Sequence, residues 1–453
     1  MTRGAGPYAR PVALGVALVV LVAAAGVAGY GDVGPRDDPA PGAPPGDRPD
    51  DAPDGGVDLA ACLRGGPEVE ERPAKASTRA EIAAIARDVE RLRGLRFEEP
   101  VRKALLPPER ANRRLRRAIG TPGATARAAE RILEVLGQVE PGTDLFGVVR
   151  RFTLGQVLGV YFPRRDELVV KAGGGPLSPL ARATLAHELE HALADQAFGL
   201  PREGGGLARA DRAAAAEALV EGDATLTGQR WAVRVLSFAD QGALANDPIV
   251  RDASEASAGV PAYVRMASEF PYRDGLAFVC SLYERGGWRA VDRAYERPPE
   301  TTAQVLWPDR YHRRAGAEWV RVDGRPAGGW RRGPLVEVGA ADLVWLFAAP
   351  GGDRGAALDD PRGAARPWRG GALRLWTKGR ASALGMTIAA RGPLCGSVTA
   401  WYAASRPGRA AAPRRGEAAA FDGARYDAVV RCPAGRVHLG VAPSLRDARR
   451  LAR

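Results

Sequence analysis

The sequence predicts an α+β protein: a mainly helical body with a short strand pair, followed by a smaller mixed α+β unit. Three observations carry this. Apolar residues recur at helical spacing through the first half, as in Ile82, Ile85, Val89 and Leu92. One pair of short apolar runs, Gln156 to Phe162 and Glu167 to Lys171, flanks the tight-turn residues Arg164-Arg165-Asp166. After about residue 315 the texture changes to short apolar runs separated by Gly and Pro, and seven of the nine Trp lie beyond residue 300.

Each element has local signals. Thr78-Arg79-Ala80-Glu81 reads as a capping box, and Gly94 ends the helix that it opens. Two further helices are expected near 107–119 and 124–137. Ser178-Pro179 supplies an N-cap and a first-turn proline for a helix reaching Phe198, with Gly199 as its stop. Another helix is expected from Leu207 to Leu236. Asp274 is placed as the cap of a helix to Arg285, with a short helix over Trp288 to Tyr295. Strands are expected at Leu335–Val338, Ala372–Trp376, Met386–Ala389, Ser397–Ala403 and Val437–Val441. The resulting division is 1–30, 31–56, 57–314 (with a helical part over 57–150) and 315–453.

The first thirty residues set the expected compartment. Arg3 and Arg10 precede the apolar run Val12 to Ala28. At about 17 residues this run spans roughly 25 Å as a helix. It reads as a signal peptide or a signal-anchor helix, with the rest of the chain outside the cytoplasm. Residues 31–56 are rich in Pro, Asp and Gly, with too little apolar surface to fold, and read as a stalk. The net charge is +12, but the basic residues are scattered, so no nucleic-acid partner is expected. The expected partners are a membrane, through the N-terminal segment, and a peptide or protein substrate.

Four cysteines in an exported chain imply two disulfides. Cys395 opens one apolar run and Cys432 ends another. Antiparallel pairing of those runs as strands would bring the two together, leaving Cys62 with Cys280.

The chemistry lies in His187-Glu188-Leu189-Glu190-His191. Residues four apart on a helix point the same way, so both imidazoles can share one ion. Zinc takes such nitrogen ligands, and Glu188 is placed to accept a proton from a water that zinc acidifies. A third ligand is needed. Glu217 and Glu221 share one face of the next helix, and either is eligible. Asp195 and Asp223 are candidates to orient a ligand imidazole. Tyr272, Tyr311 and His312 are candidates to donate to an oxyanion.

This pattern resembles the zincin metallopeptidases of the gluzincin type. More narrowly, His187 to Gln196 and Ala218 to Ala224 look like a group of extracytoplasmic bacterial proteins read as zincins. Phe270-Pro271-Tyr272, Gly286-Gly287-Trp288 and Pro298-Pro299 to Tyr311 add to the likeness. It covers roughly 75–312, with a weaker match near Ala364–Gly371. At Trp307 the chain departs from the group, where a His-Pro step is expected. The resemblance implies a zinc cofactor, Glu221 as third ligand, and peptide hydrolysis by zinc-activated water. It also implies an edge strand upstream of the metal helix that pairs with substrate. Gly222 is expected to let the Glu221 helix approach the metal helix. The rival expectations are a non-catalytic zinc protein of the envelope and a binding module that acts through 315–453.

Overall fold

The computed structural model describes residues 57–75, 77–163, 165–171, 176–200, 206–247, 259–349, 358–405 and 409–453. The expected signal or anchor segment and the stalk lie outside these residues, as does Arg164 of the expected turn. Among the described residues no helix is long and apolar enough to cross a membrane. The fold is α+β.

The helical body opens with α1 (Leu59–Arg64) and α2 (Thr78–Arg93). The expected capping box is not formed. The N-cap is Ser77, without a side-chain cap bond, and Thr78 is already helical. Glu81 is instead fully buried between Arg72 and Arg182, at 2.9 Å from each, and accepts from the Lys75 N–H. An ion-pair cluster has taken the residue that the local pattern assigned to the cap.

Strand β1 (Arg102–Leu106) leads into α3 (Pro108–Ile119), α4 (Ala124–Val135) and α5 (Leu145–Gln156). Strands β2 (Gly159–Phe162) and β3 (Glu167–Lys171) follow. The expected strand pair is thus a three-stranded sheet in the order β1-β3-β2, with β1 parallel to β3 and β2 antiparallel to it. β1 is largely exposed and carries no clean alternation, so its sequence gives little strand signal.

Helix α6 (Pro179–Phe198) has the expected ends: Ser178 Oγ accepts from Ala181 N, and Gly199 takes a positive φ of 71°. Residues 182–194 are all buried, so α6 is central rather than amphipathic. It packs against α2, β2, β3 and α7 (Ala210–Val235). Then come α8 (Phe238–Ala245) and the long α9 (Ala262–Glu296).

α9 corrects the expected break at Asp274. The helix starts thirteen residues earlier, at Ala262, runs through Pro271, and kinks at Gly286 and Gly287. Asp274 is inside it, buried and paired with Arg362 at 2.8 Å and Arg273 at 3.0 Å. Packing of α9 along α7 outweighs the lost backbone donor. The two helices touch backbone to backbone, since a Cβ on Gly222 would lie 2.3 Å from Gly275 O. Gly222 therefore serves the α7–α9 contact, not the approach to α6.

The short α10 (Thr302–Leu306) and α11 (Pro308–His312) lead to a seven-stranded antiparallel sheet. Its strands are β4 (Arg331–Glu337), β5 (Trp368–Lys378), β6 (Ala381–Ala390), β7 (Arg409–Ala411), β8 (Ala419–Asp422), β9 (Asp427–Arg431) and β10 (Arg436–Ala442). The order is β4-β5-β6-β10-β9-β8-β7. Helices α12 (Ala340–Ala348), α13 (Pro361–Ala365), α14 (Leu394–Ser405) and α15 (Leu445–Leu451) accompany it. One apolar core runs from α4, α7 and α9 into this sheet.

The run Ser397–Ala403, expected as a strand, lies within α14. Its β-branched and aromatic content suggests a strand, but Leu394, Val398, Trp401, Tyr402 and Ser405 are buried at helical spacing. The 3.6-residue period therefore prevails over propensity. Cys395 nonetheless bonds Cys432 (Cα–Cα 6.0 Å), and Cys62 bonds Cys280 (5.8 Å). The pairing is the expected one, reached through a helix rather than two strand ends.

The 62–280 bridge closes 218 residues and the 395–432 bridge 37. Chain entropy sets a ceiling of about 5 and about 4 kcal/mol respectively. Cys62→Ser with Cys280→Ser should therefore lower the unfolding free energy in urea more than Cys395→Ser with Cys432→Ser does. The opposite order would mean that native packing, not loop closure, sets the contribution of each bridge.

Candidate metal centre

α6 presents His187 and His191 one turn apart, with ring centroids 4.7 Å apart and planes nearly perpendicular at 89°. α7 crosses at the same level, where a Cβ on Gly228 would lie 3.3 Å from His187 Cβ. It is Gly228, rather than Gly222, that lets α7 lie on the motif. Glu221 then reaches back from α7. Its Oε2 is 3.2 Å from His187 Nε2 and 3.3 Å from His191 Nε2.

These three side chains offer one ligand atom each, all within 4.8 Å of one another. Two imidazole nitrogens and one carboxylate oxygen make a donor set that could hold a divalent transition-metal ion. The electrostatics agree. Burial alone would raise the Glu221 carboxyl, but His191 and His187 hold it down to about 2. Burial alone would lower His191, but Glu221 and then Glu188 push it up to about 10. The buried Glu221 carboxylate is thus offset by a proton on His191, a place that a cation could take. Glu217 stays outside the trio, one turn away, and burial together with Glu221 pushes its carboxyl up to about 8.

Glu188 is buried beside the imidazoles. Its Oε2 accepts from the Tyr161 N–H at 2.8 Å. β2 passes close over α6 at Gly159, where a Cβ would lie 3.0 Å from Glu188 Cγ and 3.1 Å from Thr184 Cγ2. Burial raises the Glu188 carboxyl, against the attraction of His191 and His187. β2 is at the sheet edge, as the zincin likeness implies. The outward N–H of Tyr161 is already engaged by Glu188, however, so that donor is not free for main-chain pairing with a substrate strand.

The expected outer partners take other places. Asp195 Oδ2 lies 3.0 Å from Tyr161 Oη, and its Oδ1 accepts from Leu200 N. Asp195 thus braces β2 and ends α6. Asp223 is fully buried, accepting from Arg93 Nε at 3.0 Å and from Tyr295 Oη at 3.0 Å. Neither touches an imidazole in these contacts.

A cavity of about 60 Å³, room for a few waters, is lined by Val160, Tyr161, Glu188, His191, Glu221 and Tyr272. Of the expected oxyanion donors only Tyr272 lines it, its ring stacked 6.2 Å from that of His187. Tyr311 packs edge-on against Phe278 and donates to Arg297 O, and His312 is exposed on α11. Neither lines the cavity. Trp307, the departure from the zincin group, is a buried core residue.

Sequence reasoning missed Val160, Tyr161 and Arg93. Tyr161 and Val160 act through backbone and position, which carry no residue-type signal. Arg93 stands near a helix end, where a basic residue is ordinary. Comparison of the chain with family models, with curated proteins and with solved structures finds no match.

Proposed function

We propose that this chain is a zinc-dependent metallopeptidase that hydrolyses peptide bonds outside the cytoplasm. The observation that carries the reading is the convergence of His187, His191 and Glu221 on one point, with Glu188 beside them on a water-sized cavity. The two disulfides fit an oxidising compartment, as does the Arg-flanked apolar run Val12 to Ala28.

A bound zinc ion supplies a Lewis acid that polarises a carbonyl and acidifies water. His187 and His191 would hold it through their imidazole nitrogens and Glu221 through its carboxylate. Glu188 accepts a proton from the attacking water and passes it to the leaving amine. The Tyr161 N–H fixes the Glu188 carboxylate, and Gly159 leaves it room. Tyr272 places its ring at the cavity wall, where its hydroxyl serves as the donor to the developing oxyanion. A site with a purely structural metal has no use for a buried base at this position.

The test is zinc content and peptide-library cleavage by the purified chain, with and without a chelator. Stoichiometric zinc is expected, with cleavage lost on chelation and restored by zinc. A metal-free chain, or cleavage indifferent to chelation, would overturn the reading.

A further inference from the structure

The fourth residue of the motif, Glu190, does not line the cavity, and its surroundings are unusual. Glu190 is fully buried, and apart from the neighbouring carboxyl of Asp223 no hydrogen-bond partner meets its oxygens. Its Oε2 lies 4.0 Å from His191 Nδ1, which is also buried without a partner. Its Oε1 lies 3.9 Å from Arg93 Nε. Unmet polar atoms at this depth are costly, and they are rare unless a bound state completes them.

Behind Glu190 stands a fixed frame. Arg93 is fully buried, with its guanidinium 4.3 Å from the centroid of the Trp288 ring. Its Nε is held by both oxygens of Asp223, at 3.0 and 3.1 Å, and Tyr295 donates to the same carboxylate. Asp292 pairs with the far side of the guanidinium at 2.7 Å. Asp223, the expected imidazole partner, is thereby occupied. Glu190 stands between this frame and His191, with Asp223 against its carboxyl.

The geometry points to Glu190 as the positioning residue of the metal centre, accepting a hydrogen bond from His191 Nδ1 when Nε2 binds metal. This rests on the metal-site reading above. An imidazole that gives Nε2 to a cation carries its proton on Nδ1, and that N–H needs an acceptor. Glu190 Oε2 is the carboxylate oxygen that faces it, and a movement of about 1 Å reaches ordinary hydrogen-bond distance. Either protonation state of Glu190 leaves an oxygen that can accept. The bond would hold the imidazole in one tautomer and one plane, and it would raise the basicity of Nε2 toward the ion. Arg93 and Asp223 would act one layer further out, holding Glu190 in place.

The test compares zinc affinity, by chelator competition, in the full-length wild type, Glu190→Ala and Glu190→Gln. Losing the acceptor should weaken zinc binding by about 10–100-fold, whereas the Gln carbonyl should keep affinity within about threefold of wild type. The cobalt-substituted protein gives a second readout: its visible spectrum should shift in the Ala variant and be retained in the Gln variant. Should Glu190→Ala fail to fold, imidazole ¹⁵N spectra of the zinc-loaded wild type decide. A slowly exchanging, hydrogen-bonded His191 Nδ1 proton supports the assignment, and one in free exchange with water overturns it. Wild-type affinity in Glu190→Ala, or an equal loss in both variants, would also overturn it while leaving the metal site intact. A wild-type chain that binds no zinc would overturn the metal-site reading itself.

Discussion

Glu188→Gln is expected to lower peptide turnover by about 10²–10⁴-fold, the usual contribution of a positioned acid–base group, while the zinc content stays at the wild-type level. The reason is geometric. Glu188 supplies none of the three converging ligand atoms, so its loss leaves the donor set whole. A Gln oxygen can still accept from the Tyr161 N–H, which now holds Oε2 at 2.8 Å. The side chain therefore keeps its place and loses only its capacity to take a proton. Because the proton moves in the transition state, kcat and kcat/KM should fall together. Kinetics and zinc analysis on the same preparation check both halves. Wild-type turnover would remove Glu188 from the mechanism. Loss of zinc with turnover would make Glu188 part of the metal-holding apparatus instead.

The second large effect separates two carboxylates that share a helix face. Glu221→Ala should be purified zinc-free and inactive, with affinity down by more than about 100-fold, beyond the range of outer residues. Glu217→Ala should retain metal at micromolar zinc. Glu221 Oε2 sits 3.2 and 3.3 Å from the two Nε2 atoms, midway between the imidazoles. Glu217 stays outside the trio, its carboxyl pushed up to about 8 and so mostly neutral at pH 7. Its removal leaves the three converging ligand atoms in place, so zinc affinity should change little. The reverse pattern would move the ligand to Glu217 and require α7 to rotate against α6.

Much of the helix that carries the candidate metal ligands is legible in the sequence. Ser178, Pro179 and Gly199 act within one turn of where they stand, and the helix they bound runs over the expected Pro179–Phe198. The His187–His191 pairing needs only the helical period. The same holds for β3, which matches Glu167 to Lys171. The cysteine pairing came out as expected although one of its premises failed, since Cys395 lies on a helix. The helix brings Cys395 to Cys432 by packing against β9, not by the strand pairing expected, and Cys62–Cys280 follows from that pair by elimination.

What the sequence by itself determined is therefore local: helix ends set by capping atoms, side-chain facing set by backbone period, and a motif whose residue types could hold a metal ion. Only the tertiary structure decided which groups from elsewhere meet that motif. Glu221 over Glu217 depends on how α7 crosses α6 at Gly228. The Tyr161 N–H on Glu188 depends on the path of β2 over α6 at Gly159. Asp195, Asp223, Glu81 and Asp274 all left their expected local roles for partners brought close by packing. The cause is the same in each case. A buried carboxylate must find a donor or a cation to offset its desolvation, and which one it finds is set by the packing of segments distant in sequence, information that no local pattern carries.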